Sequence, residues 1–298
     1  MSGVIDVAAT LLSHWGMDSV AVRPLEGGMN SDTWLVEHDG TAYVAKHVPA
    51  TALDDLVAGC EVAASLADAG VVTGRPVPTR DGRIALADQA LVLLEHVPGR
   101  ELDGETDDEQ RRIAATLAAV HRAGDPSSEQ SDHSDRHFMA EWLDPGLPEV
   151  TRHPWLAEAV DAVRAETDRL TLTWSVLHTD PAPEAFVHDD STGVTGLIDW
   201  AGARRGPVLY DVASAVMYLG GPDHGRAFLG TYAERGPLAP EEMQHLDAFR
   251  RMREAVQGVY FARRVTARDL TGGVEQADNE KGLDDARRRL AEIGDGRR

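Results

Sequence analysis

The chain has 298 residues, which is enough for one large domain or for two lobes that each have a core. Its formal net charge of -21 at pH 7 argues against a nucleic-acid partner, because binding to the phosphate backbone requires a concentrated positive surface. The same charge would attract a cationic ligand, although solubility alone explains it equally well.

The single cysteine, Cys60, excludes an internal disulfide, and its alanine-rich surroundings predict a packed thiol in a helix. No positive charge precedes Arg23, and no apolar run approaches the ~20 residues that span a bilayer. We therefore expect a cytoplasmic protein with no signal peptide and no membrane anchor.

Lysine is nearly absent. Two of the 29 basic residues are lysines, Lys46 and Lys281, which leaves 27 arginines. A lysine that survives such replacement suggests a site where a compact ammonium group is needed and a guanidinium does not fit. Lys46 is therefore a candidate functional residue, and chance survival is the alternative.

The first part of the chain predicts a helix followed by a hairpin. Apolar residues recur at helical spacing over residues 4–15, and Gly16 is a plausible C-cap. Two β-rich runs, residues 33–37 and 42–48, flank Asp39-Gly40, which is a strong hairpin signal. Lys46 falls on the second of these strands.

A second helix and two more strands follow. Residues 51–69 have a helical period with Thr51 as a candidate N-cap, and strands are predicted at 83–87 and 90–97. Pro98-Gly99 then ends the apolar run. We place the boundary there, which predicts an N-terminal lobe over residues 1–97 and a C-terminal lobe over residues 98–298.

The second part of the chain is predicted to be mostly helical. Helical patterns cover residues 111–121, 153–170 and 241–264, and a β-hairpin is predicted over 186–199. The polar stretch at residues 124–137 is typical of a loop. The predicted fold class is α+β, with an antiparallel sheet and a helix in the first lobe and mainly helices in the second.

Two elements of the first lobe suggest phosphate binding. Glycines in the turn from Gly27 and Gly28 to Ser31 would let backbone amides approach phosphate oxygens, although most Gly-Gly pairs are ordinary turns. Lys46 on a strand, followed by Glu61 on a helix, matches the order of a phosphate-gripping lysine and the glutamate that positions it in kinases. An ordinary surface pair is the alternative.

Two aspartates 19 positions apart form the third element. Asp180 follows an apolar run in His178-Thr179-Asp180, and Asp199 ends the predicted hairpin in Ile198-Asp199-Trp200. One carboxylate can orient an attacking hydroxyl while a second holds Mg2+ on nucleotide phosphates. Phosphoryl transfer requires both.

These elements together resemble the aminoglycoside phosphotransferase and choline kinase superfamily of small-molecule kinases, which have a two-lobed protein-kinase-like fold. The similarity runs through most of the chain, in six stretches that occur in the family's order: LEGGMNSDTWLV, YVAKHV, CEVAASLADAG, LVLLEHVPGREL, LAAVHRAG and GLIDWAGARRGPVLYDVASAV.

The resemblance implies a role for each candidate residue. Asp180 matches the catalytic aspartate, Asp199 the metal-binding aspartate, and Lys46 with Glu61 the pair that positions the phosphates. The segment Glu95, His96 and Val97 matches the hinge that takes the adenine through backbone groups, and Asp211 matches an aspartate that supports the site. The implied cofactors are ATP or GTP, and Mg2+.

The stretch HTDPAPEAF departs from the family pattern, which reads His-Gly-Asp-Leu-His-Pro-Gly-Asn. Thr179 replaces the glycine, Ala182 the second histidine, and Ala185 the metal-binding asparagine. Alanine cannot coordinate Mg2+, so Glu184, water or a substrate oxygen would have to complete the shell. Loss of efficient transfer is the other explanation.

The sequence leaves three alternatives open. One is a kinase-like protein that binds a nucleotide or small molecule without transfer. Another is a hydrolytic metal centre built from His178, Asp180, His188 and Asp189. A protein kinase is disfavoured, since the chain has His-Thr-Asp in place of His-Arg-Asp and has no Asp-Phe-Gly.

The leading expectation is ATP-dependent phosphorylation of a hydroxyl on a small, cationic molecule. An antibiotic of the aminoglycoside or capreomycin and viomycin type, phosphorylated in resistance, is the first guess. Acidic residues of the helical half could line a cationic pocket, although ordinary solvent-exposed helix charges also explain them: Glu241, Glu242, Asp247 and Glu254.

Overall fold

The computed structural model describes residues 5–25, 31–127 and 138–294. Its strands are β1 Ala21–Leu25, β2 Asp32–His38, β3 Thr41–His47, β4 Ala85–Leu86, β5 Leu91–Glu95, β6 Arg100–Glu101, β7 Trp174–Leu177, β8 Phe186–Asp189, β9 Val194–Leu197 and β10 Arg204–Pro207. Its helices are α1 Val7–Trp15, α2 Leu53–Asp68, α3 Asp107–Ala123, α4 Phe138–Trp142, α5 Pro148–Thr151, α6 Pro154–Thr167, α7 Leu209–Tyr218, α8 Arg226–Arg235, α9 Leu246–Ala267 and α10 Gln276–Gly294.

The chain divides into two compact units. The first contains Met1–Arg100, Val187–Gly202 and Thr271–Gly273, and the second contains Glu101–Phe186, Ala203–Leu270 and Val274–Arg298. An antiparallel sheet dominates the first unit and helices dominate the second, which confirms the predicted α+β class. The lobe boundary after residue 97 stays a prediction.

The first unit is built on a five-stranded antiparallel sheet with the order β1-β2-β3-β5-β4. β2 and β3 pair from Asp32↔His47 to His38↔Thr41, so a two-residue turn joins them. Asp39 and Gly40 have φ values of 48° and 76°, as a type I′ turn requires. The predicted hairpin is confirmed, and β3 becomes an interior strand with Lys46 near its end.

Two hydrophobic clusters hold the helices of this unit. Leu11 of α1 packs in a cluster with Val36 and Leu93 of the sheet, and the helix ends at Gly16 in a left-handed conformation, as predicted. Cys60 of α2 packs with Val92 in the second cluster. Burial raises the pKa of the Cys60 thiol to about 12, so it is a packed thiol.

The predicted cap of α2 is wrong. Thr51 lies inside a short 3-10 turn, Ala50–Ala52, and Ala52 occupies the N-cap position without a side-chain hydrogen bond. Asp54 and Asp55 fall in the first turn instead, where their charges favour the positive end of the helix dipole.

The second unit packs its helices around α9. Buried residues of α9, among them Phe249, Met252 and Val259, face a core to which α6, α7 and α10 contribute. β7 and β10 form a short antiparallel pair from Trp174↔Pro207 to Leu177↔Arg204. The helices predicted over 111–121, 153–170 and 241–264 correspond to α3, α6 and α9, the last beginning at Leu246 after a 3-10 turn.

Part of the loop predicted at 124–137 falls outside the described residues, which resume at Phe138. The described helices include none that is both long and apolar enough to cross a membrane. Both aspartates of the predicted site follow β-strands, Asp180 after β7 and Asp199 after β9.

Candidate active site

Lys46 and Asp199 meet in the first unit. Lys46 lies on β3 between Thr33 of β2 and Val92 of β5, and its Nζ is 2.5 Å from Asp199 Oδ1. The lysine side chain is 13% exposed, whereas the aspartate is 56% exposed. Two residues 153 positions apart, each predicted from the sequence, are therefore in direct contact.

A tight turn after β9 presents Asp199. Its φ of 71° lies in the left-handed region, and the Trp200 indole N–H donates to the carbonyl of Leu197 at 2.8 Å. α2 packs against this turn at Gly59, where a Cβ would lie 2.2 Å from the carbonyl oxygen of Trp200. Only glycine allows this approach, and no sequence pattern marked Gly59 as part of the site.

The predicted pairing of Lys46 with Glu61 is absent from the structure. Glu61 is exposed on α2, and within residues 5–25, 31–127 and 138–294 no hydrogen bond or ion pair joins it to Lys46. Lys46 contacts Asp199 instead. The order of a lysine and a later glutamate along the chain could not show which carboxylate the ammonium group contacts.

The glycine turn is only partly described. Gly27 and Gly28 lie outside the described residues. Ser31, just before β2, is described, and its Oγ is 3.5 Å from Thr33 Oγ1. The role of this turn in phosphate binding stays a prediction.

The predicted hinge begins at the last residue of β5. The amides of Glu95 and His96 donate to the carbonyls of Arg75 and Ala42 at 2.8 and 3.3 Å. Burial lowers the pKa of His96, and the charge of Arg23 acts in the same direction, so this imidazole is neutral at pH 7. In the described chain the Val97 amide donates no hydrogen bond, which leaves it as the candidate donor to a ligand.

The turn that carries Asp180 is anchored by Asp211 in the second unit. The fully buried Asp211 accepts hydrogen bonds from the amides of His178 and Thr179 at 2.7 and 2.9 Å, and from His121 Nε2 at 3.1 Å. Thr179 has a φ of 74°, an uncommon conformation for a β-branched residue. The family's glycine at this position would adopt it without strain.

Asp180 itself contacts two side chains that the sequence analysis missed. Its Oδ1 accepts from the Tyr218 hydroxyl at 2.5 Å and from Arg253 Nη2 at 2.6 Å. Arg253 also donates to the Tyr210 hydroxyl at 3.1 Å. Nothing local distinguishes Arg253 from the four other arginines of α9, so its contact with Asp180 becomes visible only in three dimensions.

Ala185 is buried in the 3-10 turn Pro183–Ala185, and its amide donates to the carbonyl of Ala182 at 2.9 Å. Its neighbour Glu184 is exposed. Burial raises the pKa of the Tyr218 hydroxyl, and the charges of Asp180 and Glu184 act in the same direction. Glu184 is thus a solvent-accessible carboxylate in the electrostatic surroundings of Tyr218.

The hydrolytic metal centre is not supported. Among the residues that the structure describes, no group of three or more His, Cys, Asp or Glu side chains could hold a metal ion. His188 contacts Thr195, and Asp189 accepts hydrogen bonds from the Ser191 and Thr192 side chains within the turn. These residues organise the β8–β9 hairpin.

Two of the four acidic residues considered for a cationic pocket are buried, which contradicts that use of them. Glu242 accepts hydrogen bonds from the amide and hydroxyl of Thr173 at 2.7 and 2.6 Å. Glu254 is buried on α9, 4.0 Å from Arg289. Both therefore act within the fold.

Comparison with known proteins places these features in a family. Residues 21–254 match the phosphotransferase enzyme family. A homoserine kinase of Nitrobacter winogradskyi is 28% identical over 243 residues, which cover 74% of this chain and 72% of that protein.

Solved structures share the fold. An ethanolamine kinase of Plasmodium vivax superposes with a TM-score of 0.69 at 13% identity, covering 98% of this chain and 90% of that one. A spectinomycin phosphotransferase in complex with ADP and spectinomycin gives a TM-score of 0.65 at 11% identity, with 98% and 99% covered. The chain belongs to the phosphotransferase enzyme family and is a small-molecule kinase.

Proposed function

We propose that this protein transfers the γ-phosphoryl group of ATP to a hydroxyl of a small molecule that carries an amine. The contact between Lys46 and Asp199 supports this proposal most directly, because it joins the candidate phosphate-binding cation to the candidate metal-binding carboxylate. GTP is the alternative donor.

The first unit supplies the nucleotide end of the reaction in this proposal. Lys46 is a compact charge suited to phosphate oxygens, and the glycine-rich sequence from Gly27 to Ser31 predicts amides that would add hydrogen bonds. The segment from Glu95 to Val97 receives the base, and the Val97 amide is its free donor.

The residues present fit Mg2+, with one protein ligand fewer than the family pattern. Asp199 offers an exposed carboxylate, the kind of oxygen ligand that Mg2+ takes together with phosphate oxygens and water. Ala185 has no ligand atom. Asp199 would hold the ion, which when bound neutralises charge on the phosphate oxygens.

The second unit supplies the acceptor end. Asp180 orients the substrate hydroxyl and accepts its proton as the hydroxyl oxygen forms a bond to the γ-phosphorus. The bond from the γ-phosphorus to the bridging oxygen breaks, and ADP leaves. Because the transition state of phosphoryl transfer is loose, positioning contributes more than strong basicity.

The amine requirement rests on three observations. The names of related proteins refer to homoserine, ethanolamine and spectinomycin, which all combine a hydroxyl with a nitrogen base. Glu184 is an exposed carboxylate whose charge acts on Tyr218, the hydroxyl that contacts Asp180. The net charge of -21 steers cations towards the protein.

A second candidate function is binding of a nucleotide or small molecule with little transfer. Ala185 favours it, because one metal ligand of the family pattern is missing. The proposed transfer requires nucleotide binding and turnover, whereas the second candidate requires binding of a nucleotide or small molecule without turnover.

The test is Mg2+-dependent ADP release by the purified protein, measured with a panel of acceptors. Small amino alcohols form one arm, with homoserine, ethanolamine, choline and aminopropanol. Aminoglycosides, spectinomycin, capreomycin and viomycin form the other. Asp199→Ala and Asp180→Asn are assayed beside the wild type, and ATP affinity is measured for each by calorimetry.

We expect release with one acceptor class, with a fall of roughly 10³-fold in Asp180→Asn and unchanged ATP affinity in that variant. ATP binding without release from any acceptor would favour the binding function. Absence of both ATP and GTP binding would overturn the proposed transfer and the nucleotide-binding form of the second candidate.

A further inference from the structure

Arg253 is a buried cation whose carboxylate partner faces solvent. Its side chain is 7% exposed and that of Asp180 is 61% exposed, yet Nη2 lies 2.6 Å from Oδ1. In the part of the chain that the structure describes, Arg253 forms no other ion pair. A buried guanidinium is therefore directed at the one carboxylate proposed to meet the acceptor hydroxyl.

Two tyrosines of α7 fix the position of this guanidinium. Arg253 donates to the hydroxyls of Tyr210 and Tyr218, both at 3.1 Å. Its guanidinium carbon lies 5.9 Å from the ring centroid of Tyr210 and 5.7 Å from that of Tyr218, within the range of a cation–π interaction. The planar group consequently has little freedom to rotate.

The donors keep their protons throughout the range of an enzyme assay. Burial alone would lower the pKa of Arg253, but the Tyr210 hydroxyl and the Asp180 carboxylate outweigh it, so this pKa lies well above its ordinary value. Burial also raises the pKa of the Tyr218 hydroxyl. Each group therefore donates to Asp180 and accepts nothing from it.

Burying an arginine is a poor way to stabilise a fold, because the desolvation of the ion offsets much of the attraction and apolar replacements are often neutral or stabilising. Arg264, on the same helix, shows the structural use of such a group. It is equally buried and contacts Asn279 and Asp269, which are not at the candidate site. Arg253 instead contacts Asp180, the proposed catalytic carboxylate.

We propose that Arg253 and Tyr218 are positioning residues that hold the Asp180 carboxylate in one orientation for the acceptor hydroxyl. Both donors end on Oδ1, and among the described residues no group donates to Oδ2. The two hydrogen bonds prevent rotation of the carboxylate and leave Oδ2 for the substrate. This proposal rests on the proposed function of Asp180.

The test separates the chemical step from nucleotide binding. With an acceptor in hand, we expect kcat to fall about 100-fold in Arg253→Met and about 10-fold in Tyr218→Phe, while KM for ATP stays within about twofold. Arg253→Lys keeps the charge but has no planar fork, so its kcat should lie between wild type and Arg253→Met.

Arg264→Met is the matched control, since it removes an equally buried guanidinium from the same helix. It should lower stability and leave kcat close to that of the wild type. A kcat within twofold of wild type in both Arg253→Met and Tyr218→Phe would overturn the proposal. If Arg253→Met does not fold, Tyr218→Phe decides alone.

Crystal structures of Tyr218→Phe and Arg253→Met give a readout that does not depend on turnover. We expect the Asp180 carboxylate to occupy more than one orientation in these variants, and a single unchanged orientation would overturn the positioning role. If the wild type transferred phosphate to no acceptor, the proposed function would fail, while these structures would still decide whether Arg253 and Tyr218 orient Asp180.

Discussion

The two candidate aspartates, one in each unit, are held in different ways. Asp199 of the first unit is more than half exposed and forms an ion pair with Lys46. Asp180 of the second unit is also exposed, but its contacts lead inwards to the buried groups Arg253 and Tyr210. Its backbone turn rests on buried Asp211 as well.

This difference matches the two proposed tasks. A carboxylate that binds a metal and nucleotide phosphates must exchange partners in every catalytic cycle, and the ion pair of Asp199 with a flexible lysine side chain suits such exchange. A carboxylate that orients a hydroxyl benefits from a fixed geometry. Substitutions in either unit test this comparison.

The largest effect is expected at Lys46. Lys46→Met removes the candidate phosphate-binding charge, and we expect kcat/KM for ATP to fall about 10³-fold. Lys46→Arg keeps the charge but should recover only part of the loss, since a guanidinium does not imitate a compact ammonium. Lys281→Met, at the exposed position of the other lysine, is the control. Equal kinetics in Lys46→Met and Lys281→Met would refute the role of Lys46.

Next comes the pH dependence of stability at Glu254. Burial raises its pKa to about 7, although Arg289, Arg253 and Arg250 lower it and Glu292 adds to the rise. Because the folded pKa exceeds the ordinary value of 4.5, the contribution of this group to the free energy of unfolding is complete below pH 4.5 and is lost as pH rises to 7.

The free energy of unfolding of Glu254→Gln should therefore increase relative to that of the wild type as pH rises from 4.5 to 7, by at most about 3 kcal/mol. Urea unfolding at several pH values measures this difference. Glu158→Gln, at an exposed position of α6, should show no such trend. A constant difference between Glu254→Gln and wild type across this pH range would contradict the shift.

A smaller loss of stability is expected from substitution of Gly59. A Cβ in Gly59→Ala would lie 2.2 Å from the carbonyl oxygen of Trp200, so α2 or the Asp199 turn must move. We expect the free energy of unfolding to fall by about 2 kcal/mol. The Mg2+ concentration needed for half-maximal activity should rise, because Asp199 is displaced.

The matched control for Gly59 is Gly230→Ala on α8, where no atom lies within 4 Å of the added Cβ. This change should raise stability slightly, since alanine is the better helix former. If both variants behaved alike in thermal unfolding, the close approach of α2 to Trp200 would not matter.

The smallest effect is expected at Thr179. Thr179→Gly places in the left-handed turn the residue that adopts this conformation without strain, and we expect a gain of about 1 kcal/mol in stability. Thr171→Gly is the control, at an exposed position with an ordinary backbone conformation in the same unit. It should lower stability by about 1 kcal/mol. A loss in Thr179→Gly equal to that in Thr171→Gly would show that the turn is not strained.

Local patterns predicted much of this protein. The Asp39-Gly40 turn fixed the β2–β3 hairpin, and apolar periodicity located α3, α6 and α9. Lys46 and Asp199 were selected from short motifs and meet in the fold. Each of these signals depends on residues that are close along the chain.

Features that depend on distant residues could not be predicted. Arg253 is 73 positions from Asp180, and helical periodicity carries no information on which carboxylate its side chain will contact. The need for glycine at position 59 could not be predicted either, because it comes from the close approach of the Trp200 backbone. The pairing expected of Glu61 failed for this reason too, since a competing carboxylate came from another part of the chain.

The separation of Asp180 from its supports has a consequence for synthesis on the ribosome. Asp211, which accepts from the amide of Thr179, is synthesised 32 residues after it. Tyr218 and Arg253, which donate to the carboxylate of Asp180, are synthesised 38 and 73 residues after that residue. A nascent chain therefore lacks the full set of supports for its candidate catalytic turn until α9 has emerged. Competence for acceptor chemistry arises late in translation, after the parts that would bind nucleotide have been made.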